Sequence, residues 1–151
     1  MTTSELITAN KNPLEQFTAA LDEADWKYSR TEDRIESGFH AGPCIVRLVA
    51  YVTGDGEELI FFASFGLLIP EVRHSDALQL LNRLNWKMAV GNYEMDERDG
   101  EIRIRSSYPL SEGRLDGSRA FDVMMNLCAC ASRDVSKFVE LLSPRPETES
   151  N

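Results

Sequence analysis

Two periodicities alternate along the chain, one helical and one with a repeat of two. Asn12-Pro13-Leu14-Glu15 has the form of a helix start. Asn12 can accept from a free backbone N–H, Pro13 suits the first helical position, and Glu15 completes a spacing like that of a capping box. Leu14, Phe17, Leu21 and Ala24 follow at helical spacing, so one face turns inward and the helix ends near Ala24. Trp26, Tyr28 and Arg30 then alternate with Lys27 and Ser29, which predicts a strand running to Ile35 or beyond. Residues 38–43 read Gly-Phe-His-Ala-Gly-Pro, a turn-rich connection.

Residues 44–52 and 59–69 form the second and third strands, joined at the hairpin signal Asp55-Gly56. A two-residue loop there pairs Val52 with Leu59, Ala50 with Phe61, Leu48 with Ala63 and Val46 with Phe65. All eight are apolar, so that face must meet the core. The other face pairs Tyr51 with Ile60, Val49 with Phe62 and Arg47 with Ser64. It too is largely apolar, unlike an ordinary solvated antiparallel face, so something should cover it.

Pro70 ends the third strand. Ser75 can cap a helix carrying Ala77, Leu78, Leu81, Leu84 and Met88, and Gly91 stops it. Residues 93–97 and 102–108 make a second hairpin around Asp99-Gly100. A two-residue loop sets Asp96 against Arg103, Glu94 against Arg105 and Met95 against Ile104, placing opposite charges across the strands. After a loop over 109–117, a long last helix aligns Phe121, Met124, Met125, Cys128, Val135, Phe138, Val139 and Leu142. Trp26 and Trp86 are expected mostly in the core. The order α-β-β-β-α-β-β-α predicts one α+β domain over residues 12–143, with helices against an antiparallel sheet. Residues 1–11 are expected to be loosely ordered. Residues 144–151, polar and broken by proline, are expected to form a mobile tail.

Composition adds exclusions. At 151 residues the chain is long enough to bury a core without disulfides or metal. Its net charge of -9 argues against nucleic acid or an anionic membrane as partner, because phosphate binding draws on clustered Lys and Arg. Three cysteines cannot all pair within one chain, which argues against a secreted disulfide scaffold. The first residues lack a basic stretch followed by an apolar one, so no signal peptide is expected. The most apolar run, residues 59–69, falls short of the ~20 residues of a spanning helix. The cytoplasm is the expected compartment.

Candidate chemistry is sparse. Cys128-x-Cys130 lacks the four converging ligands of a zinc site; Cys128 is expected in the core and Cys130 partly exposed. His40 near Cys44 raises a thiol–imidazole pair, and with it a small thiol hydrolase. The acidic hairpin tips have no EF-hand spacing, and no phosphate loop or dinucleotide fingerprint occurs. No metal, cofactor or enzymatic activity is expected. Arg47, Arg103 and Arg105 share a face that could receive an anionic ligand, although Glu94 and Asp96 can neutralise it locally. Arg47, Val49, Tyr51, Ile60 and Phe62 are the candidate surface for a second copy or a partner segment.

One stretch carries a family likeness. Residues 80–85 read Leu-Leu-Asn-Arg-Leu-Asn, residues 91–96 Gly-Asn-Tyr-Glu-Met-Asp, and residues 100–105 Gly-Glu-Ile-Arg-Ile-Arg. This stretch resembles the YbjN family of bacterial sensory transduction regulators, with its aliphatic–Asn–x–aliphatic–Asn helix and Gly-x-aromatic hairpin. The likeness is strongest over about residues 77–110; elsewhere it lies mainly in element order. That family looks like the type III secretion chaperones, acidic cytoplasmic homodimers that hold extended segments of partner proteins. The resemblance therefore implies this α+β architecture, a homodimer and a protein partner, and supplies no catalytic residues. Asn82 and Asn85 match the family pattern, and their expected job is to tie the helix end to the following turn.

Overall fold

In a computed structural model, described here for residues 12–145, the chain follows the predicted order around a six-stranded sheet. Helix α1 is Pro13–Glu23; β1 is Ser29–Arg30, β2 Arg34–Ala41, β3 Cys44–Val52 and β4 Glu58–Leu68. Helix α2 is His74–Lys87, β5 Asn92–Met95, β6 Glu101–Pro109 and α3 Gly117–Glu140. The strand order is β1-β2-β3-β4-β6-β5, antiparallel throughout. The expectations for residues 1–11 and 146–151 lie outside the described residues. Arg145 is anchored by a 2.9 Å ion pair to Asp76.

Helix α1 begins as its sequence predicts. The Asn12 side chain accepts from the Leu14 N–H at 3.0 Å, with Pro13 in the first turn. It ends at Glu23, where Asp25 takes a left-handed conformation (φ 52) and the Trp26 N–H returns to the Leu21 carbonyl. Helix α2 starts differently from expectation. A 3₁₀ turn over Glu71–Arg73 runs straight into it, so Ser75 is not its cap. It ends at Lys87, four residues before Gly91.

The connection expected over 38–43 is instead mostly strand. β2 continues to Ala41 and turns on Gly42-Pro43 alone, because Gly42 supplies the positive φ (54) a two-residue loop needs. The first strand accordingly splits into β1 and β2. The β3–β4 register matches the expected pairs from Val52–Leu59 to Arg47–Ser64. The second hairpin differs by two residues: Glu94 pairs with Arg103, Met95 with Ile102 and Tyr93 with Ile104. Its loop is wider because the Gly100 N–H (φ 79) bonds the Asp96 carbonyl, and the Asp96 carboxylate holds Arg98 rather than Arg103. The Arg98 bonds keep that carboxyl at about 2, below the ordinary carboxylate range.

The three described helices pack on one face of the sheet. Phe17 of α1 meets Phe61 edge-on, and Phe138 of α3 meets both Phe65 and Tyr93. Val46, Leu59, Ala63, Ile102 and Ile104 are fully buried between them.

Within this apolar layer sits one wholly buried carboxylate, Asp134 (0% exposed). The Tyr93 hydroxyl donates to its Oδ2 at 2.7 Å, Arg133 grips both oxygens, and Lys137 reaches Oδ1 at 3.0 Å. Burial pushes the Asp134 carboxyl upward, but the bonds from Arg133, Tyr93 and Lys137 outweigh it and hold the carboxyl at about 2. Burial and the Asp134 bond raise the Tyr93 phenol. A carboxyl lowered from its unfolded value of about 4 stabilises the fold above that pH, and its contribution is lost as pH falls towards 2. Asp134→Asn should cost about 2 kcal/mol in urea unfolding at neutral pH, by removing the charge while keeping an acceptor for Tyr93. Its stability should also fall less steeply than that of the parent chain over this acid range.

Candidate functional site

The sheet face away from the helices is open. Alternation along the strands places on it, row by row, Arg34–Tyr51–Ile60–Ser107, then Glu36–Val49–Phe62–Arg105–Asn92, then Gly38–Arg47–Ser64–Arg103–Glu94. All five residues expected to form the partner surface therefore share this face: Arg47, Val49, Tyr51, Ile60 and Phe62. The four apolar ones lie side by side. Tyr51 stacks on Phe62 with ring centroids 6.0 Å apart. The Arg103 guanidinium lies over the Phe62 ring, 4.1 Å from its centroid. Side chains of the face thus shield one another, leaving Val49, Tyr51 and Phe62 half-buried and Ile60 buried, with no helix of the described residues above them. Ile45, on the same face beyond Arg47, is 69% exposed.

Arg47, Arg103 and Arg105 are on this face, as expected, but they do not converge on an empty space. Arg47 pairs with Glu36 at 2.9 Å, and Arg103 with Glu94 at 2.6 Å. Arg105 reaches the same Glu94 only at 3.8 Å. Asp96, the other expected neutraliser, is taken by Arg98. Arg34 completes the network by pairing with Glu36 at 3.0 Å. Exposed pairs of this kind contribute little stability, on the order of 0–1 kcal/mol each, and can be exchanged for a ligand's charges.

The thiol–imidazole pair does not form. His40 is exposed on the open face, opposite Ile45, while Cys44 is buried on the helix side. Two faces of one sheet separate them, so the thiol hydrolase reading is not supported. Cys130 is buried like Cys128, contrary to expectation, at the point where the Tyr93 hydroxyl reaches its carbonyl at 3.1 Å. Burial pushes the Cys128 thiol up to about 11, which leaves it inert at neutral pH. Among the described residues, no His, Cys, Asp and Glu side chains cluster to hold a metal ion.

The two asparagines divide. Asn85 lies beside β5, where its Oδ1 accepts from the Tyr93 N–H at 2.7 Å and its Nδ2 donates to the Tyr93 carbonyl at 3.1 Å. It therefore does the tying job expected of it, by imitating a neighbouring strand. Asn82 is exposed and makes no such bond. It lies one turn from Leu78 and from Trp86, and Trp86 is 89% exposed rather than in the core. Helix α2 buries only Ala77, Leu81 and Leu84, a narrow stripe that leaves Trp86 on the outer side. Trp26 is half-buried, bonded to Ser37 and edge-on to Phe121.

The sequence model of the YbjN family, described as "putative bacterial sensory transduction regulator", matches residues 13–143. The fold is similar to the crystal structure of YbjN from E. coli, described as "a putative transcription regulator". The TM-score is 0.61 at 9% identity, covering 82% of this chain and 92% of that one. It is also similar to a chain of the ExsC–ExsE complex (TM-score 0.52, 12% identity, 80% and 88% covered). A third likeness is to a chain of the heterodimeric ExoU–SpcU complex from the type III secretion system of Pseudomonas aeruginosa (0.51, 17%, 83% and 97%). These likenesses show the fold, that of the type III secretion chaperones. No curated protein matches the chain by sequence.

Asn85→Ala should cost about 1–3 kcal/mol, since it strands the Tyr93 N–H and carbonyl at a half-covered edge. Native-state hydrogen exchange should then show the Tyr93 amide exchanging faster, with the β3–β4 amides changed only by the global loss.

Proposed function

We propose that this chain, which belongs to the YbjN family, is a non-enzymatic protein-binding module whose open sheet face receives a segment of a partner protein. The observation that carries the reading is the apolar strip of Val49, Tyr51, Ile60 and Phe62, which no helix of the described residues covers while the three described helices crowd the other side. Interfaces of this type combine an aromatic centre with a rim of arginine, and Arg34, Arg47, Arg103 and Arg105 frame these four residues. That the structurally similar ExsC–ExsE and ExoU–SpcU assemblies are complexes supports a protein as the partner. We include a homodimer in the proposal, as the family likeness implies. A regulatory role and a cytoplasmic location belong to the same reading. Among the described residues no helix is long and apolar enough to cross a membrane.

A small anionic ligand held by Arg47, Arg103 and Arg105 is the weaker reading, because Glu36 and Glu94 already occupy the first two.

Phe62→Glu tests the face directly. The new carboxylate lies beside Arg103 and Arg105, so the variant should stay folded. In affinity capture with mass-spectrometric identification, a protein retained by the parent chain and by Trp86→Glu should be lost with Phe62→Glu. Equal retention by both variants would remove the sheet face from the reading. Light scattering should give twice the 17.0 kDa of one chain, and a single-chain mass would remove the homodimer.

A further inference from the structure

The strip on the open face ends at an unfinished edge of the sheet. β5 begins at Asn92, opposite Arg105, while β6 runs on to Pro109. The chain leaves β5's line at Gly91 (φ 75), pressed so close to β6 that a Cβ there would lie 2.8 Å from the Arg105 carbonyl oxygen. Beyond that point no strand among the described residues pairs with the outer side of β6.

Two independent sets of bonds say which backbone groups face outward. Asn85 takes both the N–H and the carbonyl of Tyr93, so Tyr93 turns its peptide away from β6, and Asn92 and Glu94 turn theirs towards Arg105 and Arg103. On the far side, the Thr53 N–H bonds the Glu58 carbonyl and the Leu110 N–H bonds the Glu57 carbonyl. That phase turns Ser106 and Tyr108 towards β4. Both arguments leave the Ser107 N–H and carbonyl pointing into open space, followed by Pro109, which has no N–H to offer.

A notch of about 410 Å³ lies at this place, lined by Glu58, Ile60, Val90, Arg105, Ser106 and Ser107 among others. Ser106 Oγ, in a residue only 5% exposed, is the one buried side-chain oxygen or nitrogen without a hydrogen-bond partner among the described residues. The notch is also charged unequally along its length. Arg105 has only a 3.8 Å contact with a carboxylate that Arg103 already holds, and Glu58, opposite Pro109, has no ion pair among the described residues.

We infer that β6 accepts an extended segment of a partner protein as an added strand, bonded through Ser107 and read by charge at both ends. An antiparallel segment passes Glu58 first and Arg105 last. Its open-face side chains, two residues apart, face Pro109 and Ser107 in turn, so an amine side chain precedes a carboxylate in the order Lys-x-Glu. This inference rests on the reading of the open face as a partner surface and names the chemistry of what lies there.

The test uses fluorescein-labelled Thr-Val-Thr-Val-Lys-Val-Glu, amidated at its C-terminus so that nothing enters the line of Gly91 and Asn92, and the full-length chain, read by anisotropy. Ser107→Pro removes the outward N–H while leaving the fold intact, since that N–H bonds nothing among the described residues and Pro109 already occupies the equivalent phase. Binding should weaken about tenfold or more with Ser107→Pro and with Arg105→Glu, and be unchanged by Ser107→Ala. The same loss should follow when Lys and Glu exchange places in the peptide, or when the peptide nitrogen facing Ser107 is methylated. These two controls need no variant to fold. Failure of the parent chain to bind overturns the inference, as does equal binding of the methylated peptide. Loss with Phe62→Glu but not with Ser107→Pro would keep the open-face reading and discard strand addition. A mass that falls from two chains to one with Ser107→Pro would assign the edge to a second copy and overturn the inference.

Discussion

Tyr93 is held at three places at once, and the geometry of the helix–sheet junction follows from that. Its phenol donates to the buried Asp134 carboxylate at 2.7 Å, its ring lies edge-on to Phe138, and its peptide is gripped by Asn85. One residue thereby joins α2, β5 and α3, which otherwise share few contacts. A buried carboxylate is costly to desolvate, so the arrangement is stable only while every lone pair is used. Arg133 and Lys137 meet that demand from the solvent side.

The same residues explain the short family motif in physical terms. Gly91 is needed because the chain passes too near Arg105 for any side chain. The aromatic residue two positions on must carry a hydroxyl to meet Asp134, and the second asparagine of the helix must reach the strand edge. The motif therefore describes a joint in the scaffold.

Much of this was legible in the chain. The alternation over residues 44–65 shows both faces of β3 and β4, because a period of two has no competing interpretation when Asp-Gly marks the turn. The second hairpin was less legible. Asp96 and Arg103 are equally plausible cross-strand partners on charge alone, and only the bonds within the loop, Asp96 to Arg98 and Gly100 to Asp96, decide the register. Because the error was two residues, Glu94, Arg103 and Arg105 still shared a face. Asp134 belongs to no motif, yet it sits at the inward phase between Ala131, Val135 and Phe138, where an acid is conspicuous. Trp86 has the aromatic character of a core residue but not the phase of one. The spacing of Ala77, Leu81 and Leu84 already put it outside. The open Ser107 edge has no sequence signal, since it depends on where β5 stops.

Sheets with bare margins invite copies to stack into fibrils. Here one margin is β1, two residues long, and the other is β5, whose middle peptide is occupied by Asn85. Where β6 emerges beyond it, Pro109 ends the run of donors. Among the described residues, β6 thus leaves one short slot for backbone pairing beyond β5, and β2 leaves another where it outruns β1, each too brief to template an endless array.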